Sequence, residues 1–288
     1  MNATSLTHDR AAVDQPSRPT ILTVLGVEAR KLVAQKRVRY AGLVCVLAPI
    51  ILAVVLKGQQ RPPKDTLYGR YVHDSGFAFA LFVLTFASQW ALPFLTALVA
   101  GDIYASEDHL GTWKTVLTRA VSRTKLFAAK SLAAALFAVV AVTLLAVSTI
   151  ASGVVIVGHQ SLVGLTGQTI SASSAAALVA AAWATVIPPL LAFTAIAILV
   201  SVVSRSPAIG TVGPIVLGLV SQLVGWLGGI DAQRRYLPTT PFDAWHGLLT
   251  QHRYYGLIVQ GGLVSALWCA GCLAIALFVL RRRDITGG

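Results

Sequence analysis

The sequence predicts an all-α, polytopic membrane protein with six spanning helices. An in-plane amphipathic helix is expected to precede the spans, and a short cytoplasmic helix to separate the second from the third. Three observations carry this. Of the 288 residues, 56% are hydrophobic and only 12% charged, about half the charge of a typical soluble domain at ~25%. The apolar residues gather into six uninterrupted stretches of membrane-crossing length. The basic residues fall mostly on alternate sides of those stretches. The same composition excludes a disordered chain, which needs low hydrophobicity and high charge.

Residues 1–19 are polar and carry Pro16 and Pro19. They read as a disordered cytoplasmic tail, and nothing in them resembles a cleavable signal peptide. Residues 20–288 form the predicted transmembrane domain. Its first segment, Thr20–Arg39, places Leu22, Leu25, Ala29, Leu32 and Val33 on one helical face, with Arg30, Lys31, Lys36 and Arg37 mainly on the other. A helix of this kind lies in the headgroup plane.

The spans are expected at Tyr40–Leu56, Phe77–Gly101, Ser131–Val157, Ser174–Val203, Ile209–Ile230 and Leu257–Leu280. None of these windows contains Asp, Glu, Lys, Arg or His. With both termini placed inside, 16 of the 23 basic residues fall on the cytoplasmic side, including Arg281, Arg282 and Arg283 directly after the last span. The positive-inside rule therefore orients the chain in the cell membrane with N and C termini cytoplasmic. The net charge of +12 is accounted for by these flanks and their attraction to anionic lipid. Without a folded basic face, it does not point to nucleic acid. Pro93 and the pair Pro188-Pro189 are expected to break or kink the second and fourth helices. Glycines around 210–229 and at Gly261-Gly262 suit close helix approach.

The loop after the second span is the most specific stretch. Ser106 is a candidate N-cap, Glu107 and Asp108 suit a helix N-terminus, and Leu110, Trp113 and Leu117 share one face. Too little cytoplasmic sequence remains to cover that face internally, so it reads as a partner-binding surface.

The run Glu107…Gly111-Thr112-Trp113…Leu117…Val121-Ser122-Arg123…Lys130 resembles the E-x-x-x-G-T-[LW]…L-L-x-x-P-x-S-R…K pattern of the ABC-2-type ABC transporter permeases, with Ala120 where the family usually has Pro. The stretch Leu237–Trp245 is similar to the family's extracellular P-x-x-P-F/W hairpin. The resemblance implies that Glu107, Leu110, Gly111, Thr112, Trp113 and Leu117 form a coupling helix docking on an ATP-binding subunit. Arg119 and Arg123 would pin the loop to that subunit or to headgroups. It also implies a second permease subunit, as homodimer or sister chain, and export of a hydrophobic or amphiphilic compound.

The chain has no G-x-x-x-x-G-K-[ST] loop, so ATP and Mg would belong to the partner and no cofactor to this chain. Charge-free spans disfavour ion coupling. They also disfavour the alternative of a membrane-embedded enzyme. A membrane anchor or sensor that recruits an ATPase without transport is the other competing reading. No catalytic residue is assigned. Cys269 and Cys272, in a C-x-x-C, read as small buried residues, and the six histidines show no metal-ligand spacing. Within the spans, Phe86, Gln89, Trp90 and Gln222 are candidates for a substrate pathway, although such polar residues also serve as interhelical glue.

Overall fold

The computed structural model describes residues 20–59, 63, 66–111, 122–227, 229 and 231–282. Six helical segments in it are long and apolar enough to cross a membrane: Lys36–Gly58, Gly76–His109, Arg123–Val157, Ala172–Ser204, Pro207–Gly225 and Gly256–Arg282. Each contains one of the expected windows or most of it. The expected fifth window runs past the helix end, because Gly225 and the positive φ of Gly229 close the helix before residue 230.

The first segment divides differently from the expectation. Helix α1 covers Ile21–Ala34, and Gln35 is extended with ψ 130°. Lys36–Arg39 then open α2, Lys36–Gly58, instead of completing the amphipathic helix. The buried positions of α1 are Val24, Glu28 and Leu32, one per turn, whereas Leu22 and Val33 face outward. The inner stripe is thus rotated from the one hydrophobicity alone selects, and it includes a carboxylate.

The second span is made of three pieces. Helix α3, Gly76–Phe86, passes into a π-helical turn at Ala87–Ala91, and α4 follows at Leu92–Ala100 with Pro93 in its first turn. Having no N–H, Pro93 cannot give the Gln89 carbonyl, four residues earlier, its regular helical hydrogen bond. After a bend come the short α5, Ala105–His109, and later α6, Arg123–Ser152, whose N-cap Ser122 accepts the Lys125 N–H. A second π-helical turn, Gly153–Val157, ends that span. A two-residue hairpin follows, with Leu162–Val163 (β1) antiparallel to Thr169–Ile170 (β2). Helices α7, Ala172–Thr185, and α8, Ile187–Ser204, are separated at Val186 with Pro188 and Pro189 in the first turn of α8, the break expected from the proline pair. Helix α9 is Pro207–Gly225, α10 is Asp231–Arg234, and a 3-10 helix covers Thr240–Leu249. Helix α11, Gly256–Arg282, ends the described chain.

Helix α8 is the hub, packing on α11, α9, α4 and α6. It is apolar all round and buried on most of its surface, as a helix enclosed by other helices must be. Helices α2, α9 and α11 instead expose apolar faces, such as Leu43, Ile51 and Val54 of α2 and Val212, Val216 and Leu223 of α9, the pattern expected of lipid-facing or partner-facing surfaces. Two glycine pairs mark close approaches between helical segments. Gly101 after α4 faces Gly210 of α9, and Gly76 of α3 faces Gly153 of the second π-helical turn. In both, a methyl group on either glycine would strike the other's carbonyl.

Candidate functional site

The loop after α4 is fixed to the helices by ionic and polar contacts. Its bend starts at Asp102, whose carboxylate takes a charge-assisted hydrogen bond from Arg37 of α2. The backbone N–H groups of Tyr104 and Ala105 both donate to the Ser201 hydroxyl of α8, at 3.2 and 3.1 Å. The Tyr104 hydroxyl donates to the Phe127 carbonyl at 2.9 Å and meets Ser131 at 3.1 Å.

Glu107 then points inward. Its Oε1 lies 2.7 Å from Lys130 Nζ of α6, and the same ammonium lies 2.8 Å from Glu28 Oε2 of α1. Lys31 closes the group, 2.7 Å from Glu28 Oε1 and 3.9 Å from Glu107 Oε1. Two carboxylates and two ammoniums balance in charge. The Lys130 side chain is only 3% exposed and that of Glu28 5%. Burial alone would raise the Glu28 carboxyl, but the facing charges and hydrogen bonds of Lys130 and Lys31 outweigh it and hold the group below its ordinary value. Among the described residues no cluster of His, Cys, Asp or Glu is arranged to hold a metal. The network is a structural tie between α1, α5 and α6.

Of the expected loop residues, Leu110 is 71% exposed and Gly111 takes φ +64°, the left-handed conformation that lets a glycine end a helix. Ser106 lies inside α5 and does not cap it. Thr112, Trp113, Leu117 and Arg119 lie outside the described residues. Arg123 opens α6 and donates to the Arg281 carbonyl at 3.2 Å, while Arg281 donates to Thr124 Oγ1 at 3.0 Å, so the start of α6 is stitched to the end of α11.

The second polar group surrounds the π-helical turn of the second span, about 20 Å along the helix from Asp102 at 1.5 Å per residue. Thr85, Ser88, Thr143 and Thr194 donate to carbonyls of their own helices, so these polar side chains are satisfied locally. Gln89 and Gln222 reach across. Gln89 Nε2 donates to Asp243 Oδ1 of the 3-10 helix at 2.8 Å, and Gln222 Nε2 of α9 donates to the Gln89 carbonyl at 2.8 Å. Pro93, four residues on, has no N–H to give the Gln89 carbonyl, which leaves that oxygen open to Gln222. Phe86 and Trp90 are half exposed on the outward side of the same turn. The structure therefore joins Gln89 and Gln222 in one network, and sets Phe86 and Trp90 beside it.

Asp243 was invisible to the sequence reading as a site residue, as were Glu28 and Lys130 in their pairing. Asp243 sits in a recess whose reduced hydration raises its carboxyl above the usual range, although His246 and Gln89 oppose the rise. His246 is held below its ordinary value by burial, with Asp243 opposing. The 3-10 helix that carries both is anchored by Trp245, which is fully buried with its ring 6.2 Å from that of Tyr68. The Leu249 carbonyl at its end accepts from the Leu165 N–H and from Gln168 Nε2.

Six apolar helices of membrane-crossing length, with a polar loop tied back into the bundle, define a multi-pass membrane protein. The family described as ABC-2 family transporter protein matches residues 24–225, from α1 through α9, and the chain belongs to that family: it is an ABC-2-type permease. Membership implies an ATP-binding partner subunit. No curated protein matches the sequence significantly. The match contains the Glu28–Lys130–Glu107 network and the Gln89–Gln222 contact, whereas Asp243 lies beyond it.

Proposed function

We propose that the chain forms half the membrane pathway of an ATP-driven exporter of hydrophobic or amphiphilic compounds in the plasma membrane. The end bearing α1 and α5 is cytoplasmic, as are both termini, and Leu22 and Val33 of α1 rest in the headgroup layer. A separate ATPase subunit holds ATP and Mg and docks on Leu110, Gly111, Thr112, Trp113 and Leu117, with Arg119 and Arg123 flanking. Glu107 serves this contact from inside, through Lys130. A second permease, identical or a sister chain, completes the pathway.

The observation that carries the reading is the tie from Glu107 through Lys130 to Glu28. A displacement of the loop cannot be absorbed by the loop alone, because its breaking would leave buried charges unpaired. The displacement is therefore passed to α1 and α6, and two discrete arrangements of packed helices suit alternating access. The chain itself has no phosphate-binding loop, which supports an external motor.

The test is ATP hydrolysis by the partner subunit reconstituted with this chain in liposomes. The chain should raise the hydrolysis rate, and Trp113→Ala or Gly111→Pro should abolish the increase while the protein still inserts. An unchanged increase in both variants overturns the coupling role. Hydrolysis without movement of an amphiphilic dye across the bilayer would favour the membrane anchor instead.

A further inference from the structure

Helix α2 packs on the bundle mainly through α6 and the π-helical turn that follows it. An open groove of about 400 Å³ runs along this contact, lined on the α2 side by Val46 and Ile50 and on the other by residues between Leu144 and Ile156. From Leu144 to Ile156 it extends about 18 Å at 1.5 Å per residue. That is close to the ~15 Å depth of one leaflet, half of a ~30 Å hydrocarbon layer. Spread over that length, the volume gives a slot about 5 Å across, whereas a helix with its side chains is about 10 Å across.

The slot is apolar by construction. Its two serines are turned to the backbone: Ser148 Oγ donates to the Val46 carbonyl at 2.6 Å and Ser152 Oγ to the Thr149 carbonyl at 3.2 Å. Their donors are spent locally, so the walls offer hydrocarbon to an alkyl chain and little to a polar ligand. Val147 and Val155 stand exposed along the open side.

A positive charge stands at one end of the slot, the end remote from α1. Lys57, in the last turn of α2, donates through Nζ to the carbonyl of Ile156, a wall residue at that end. His73 Nε2 meets the Leu56 carbonyl at 2.8 Å and pins the same turn. An ammonium has three donors, and no carboxylate among the described residues pairs with Lys57. In the sequence, the loop that Lys57 opens also carries Arg61, Lys64 and Arg70 against Asp65 and Asp74. This basic excess lies on the side that the positive-inside bias leaves poor in Lys and Arg.

Apolar contact alone does not choose the occupant, because lipid tails are as apolar as the walls. The ammonium does choose, since it attracts a phosphate held at the mouth of the slot. A choline head brings its own cation towards Lys57, whereas an uncharged glycerol head does not.

We propose that the groove holds an anionic phospholipid of the leaflet at the Lys57 end, with one acyl chain in the slot between α2 and α6 and the headgroup phosphate at Lys57 Nζ. The lipid fastens the outlying α2 to the bundle. The site depends on the spanning helices alone and not on ATPase coupling.

The experiment uses the purified full chain in neutral maltoside detergent and a phosphatidylglycerol with a diazirine in one acyl chain. Labelled peptides are mapped by mass spectrometry. Label is expected in residues 144–156. Dioleoyl phosphatidylglycerol should displace it about fivefold more effectively than dioleoyl phosphatidylcholine, the ratio that one lysine near an anionic headgroup supplies. Lys57→Gln should abolish this preference while label persists. Ala151→Trp and Val147→Trp each fill the slot from an exposed wall position and should remove the label, with the elution profile and melting temperature reporting on folding. Equal displacement by the two lipids overturns the proposal, as does a preference that survives Lys57→Gln. Undiminished label in both tryptophan variants also overturns it. Absence of label from residues 144–156 would give the face to a second copy of the chain or another protein, and overturns it too.

Discussion

Glu28 and Lys130, separated by 102 residues in the chain, meet at 2.8 Å with almost no exposure to solvent. Their contact fixes how α1 sits on α6, and Glu107 joins it from the loop. An ion pair at this depth is sensitive to losing one partner and much less so to losing both together.

Replacing Lys130 by Met should therefore destabilise the protein by about 3–5 kcal/mol, since Glu28 and Glu107 would be left facing each other. Lys31, whose side chain is 49% exposed, should cost about 0–1 kcal/mol when changed to Gln. Thermal unfolding in detergent micelles distinguishes the two. The double variant Glu28→Gln/Lys130→Met should recover part of the loss of Lys130→Met alone; failure to recover any would mean that Lys130 acts by packing and not by charge.

The glycine pinch between α4 and α9 makes a separate prediction. Gly101→Ala and Gly210→Ala each push a methyl group against a backbone carbonyl, which should destabilise by about 1–3 kcal/mol through forced helix separation. Gly26→Ala, in the middle of α1 with no atom near the added methyl, should instead be neutral or stabilise by about 0.5–1 kcal/mol. Melting temperatures of the three variants, measured side by side, decide whether the close approach is a real constraint.

Acid should loosen the α1–α6 contact. The folded-state value of Glu28 lies below its ordinary 4.5, so the folded protein binds fewer protons than the unfolded chain across that interval. The contribution of Glu28 is present at neutral pH and is lost as pH falls through the ordinary value to the lowered one. Melting curves of wild type and Glu28→Gln should therefore converge on acidification from pH 7; a constant gap would assign the residue a role independent of its charge.

Much of the architecture was legible because a membrane span must be long, apolar and helical for the same physical reason: lipid offers the backbone no hydrogen-bond partner. Length and composition located all six spans, and the prolines at 93 and 188–189 marked where two of them break. The same windows gave an incomplete view of charge. Charged residues lie just past the apolar windows: Lys130 is inside α6, Asp102 in the bend after α4, and Glu107 in α5. Glu28 left a faint trace, an acid one turn from Val24 and one from Leu32 on a single face, but that periodicity names no partner.

The sequence by itself determined the class of environment, the number of crossings and the loop pattern shared with the transporter family, since these depend on composition and local spacing. Tertiary structure decided the inner face of α1, the Glu28–Lys130–Glu107 tie, and the meeting of Gln89 with Asp243 across 154 positions. Such pairings depend on which helices become neighbours and on how each is rotated. A π-helical turn at Ala87–Ala91 shifts that rotation by a fraction of a turn, and nothing in the local alternation of side chains announces it.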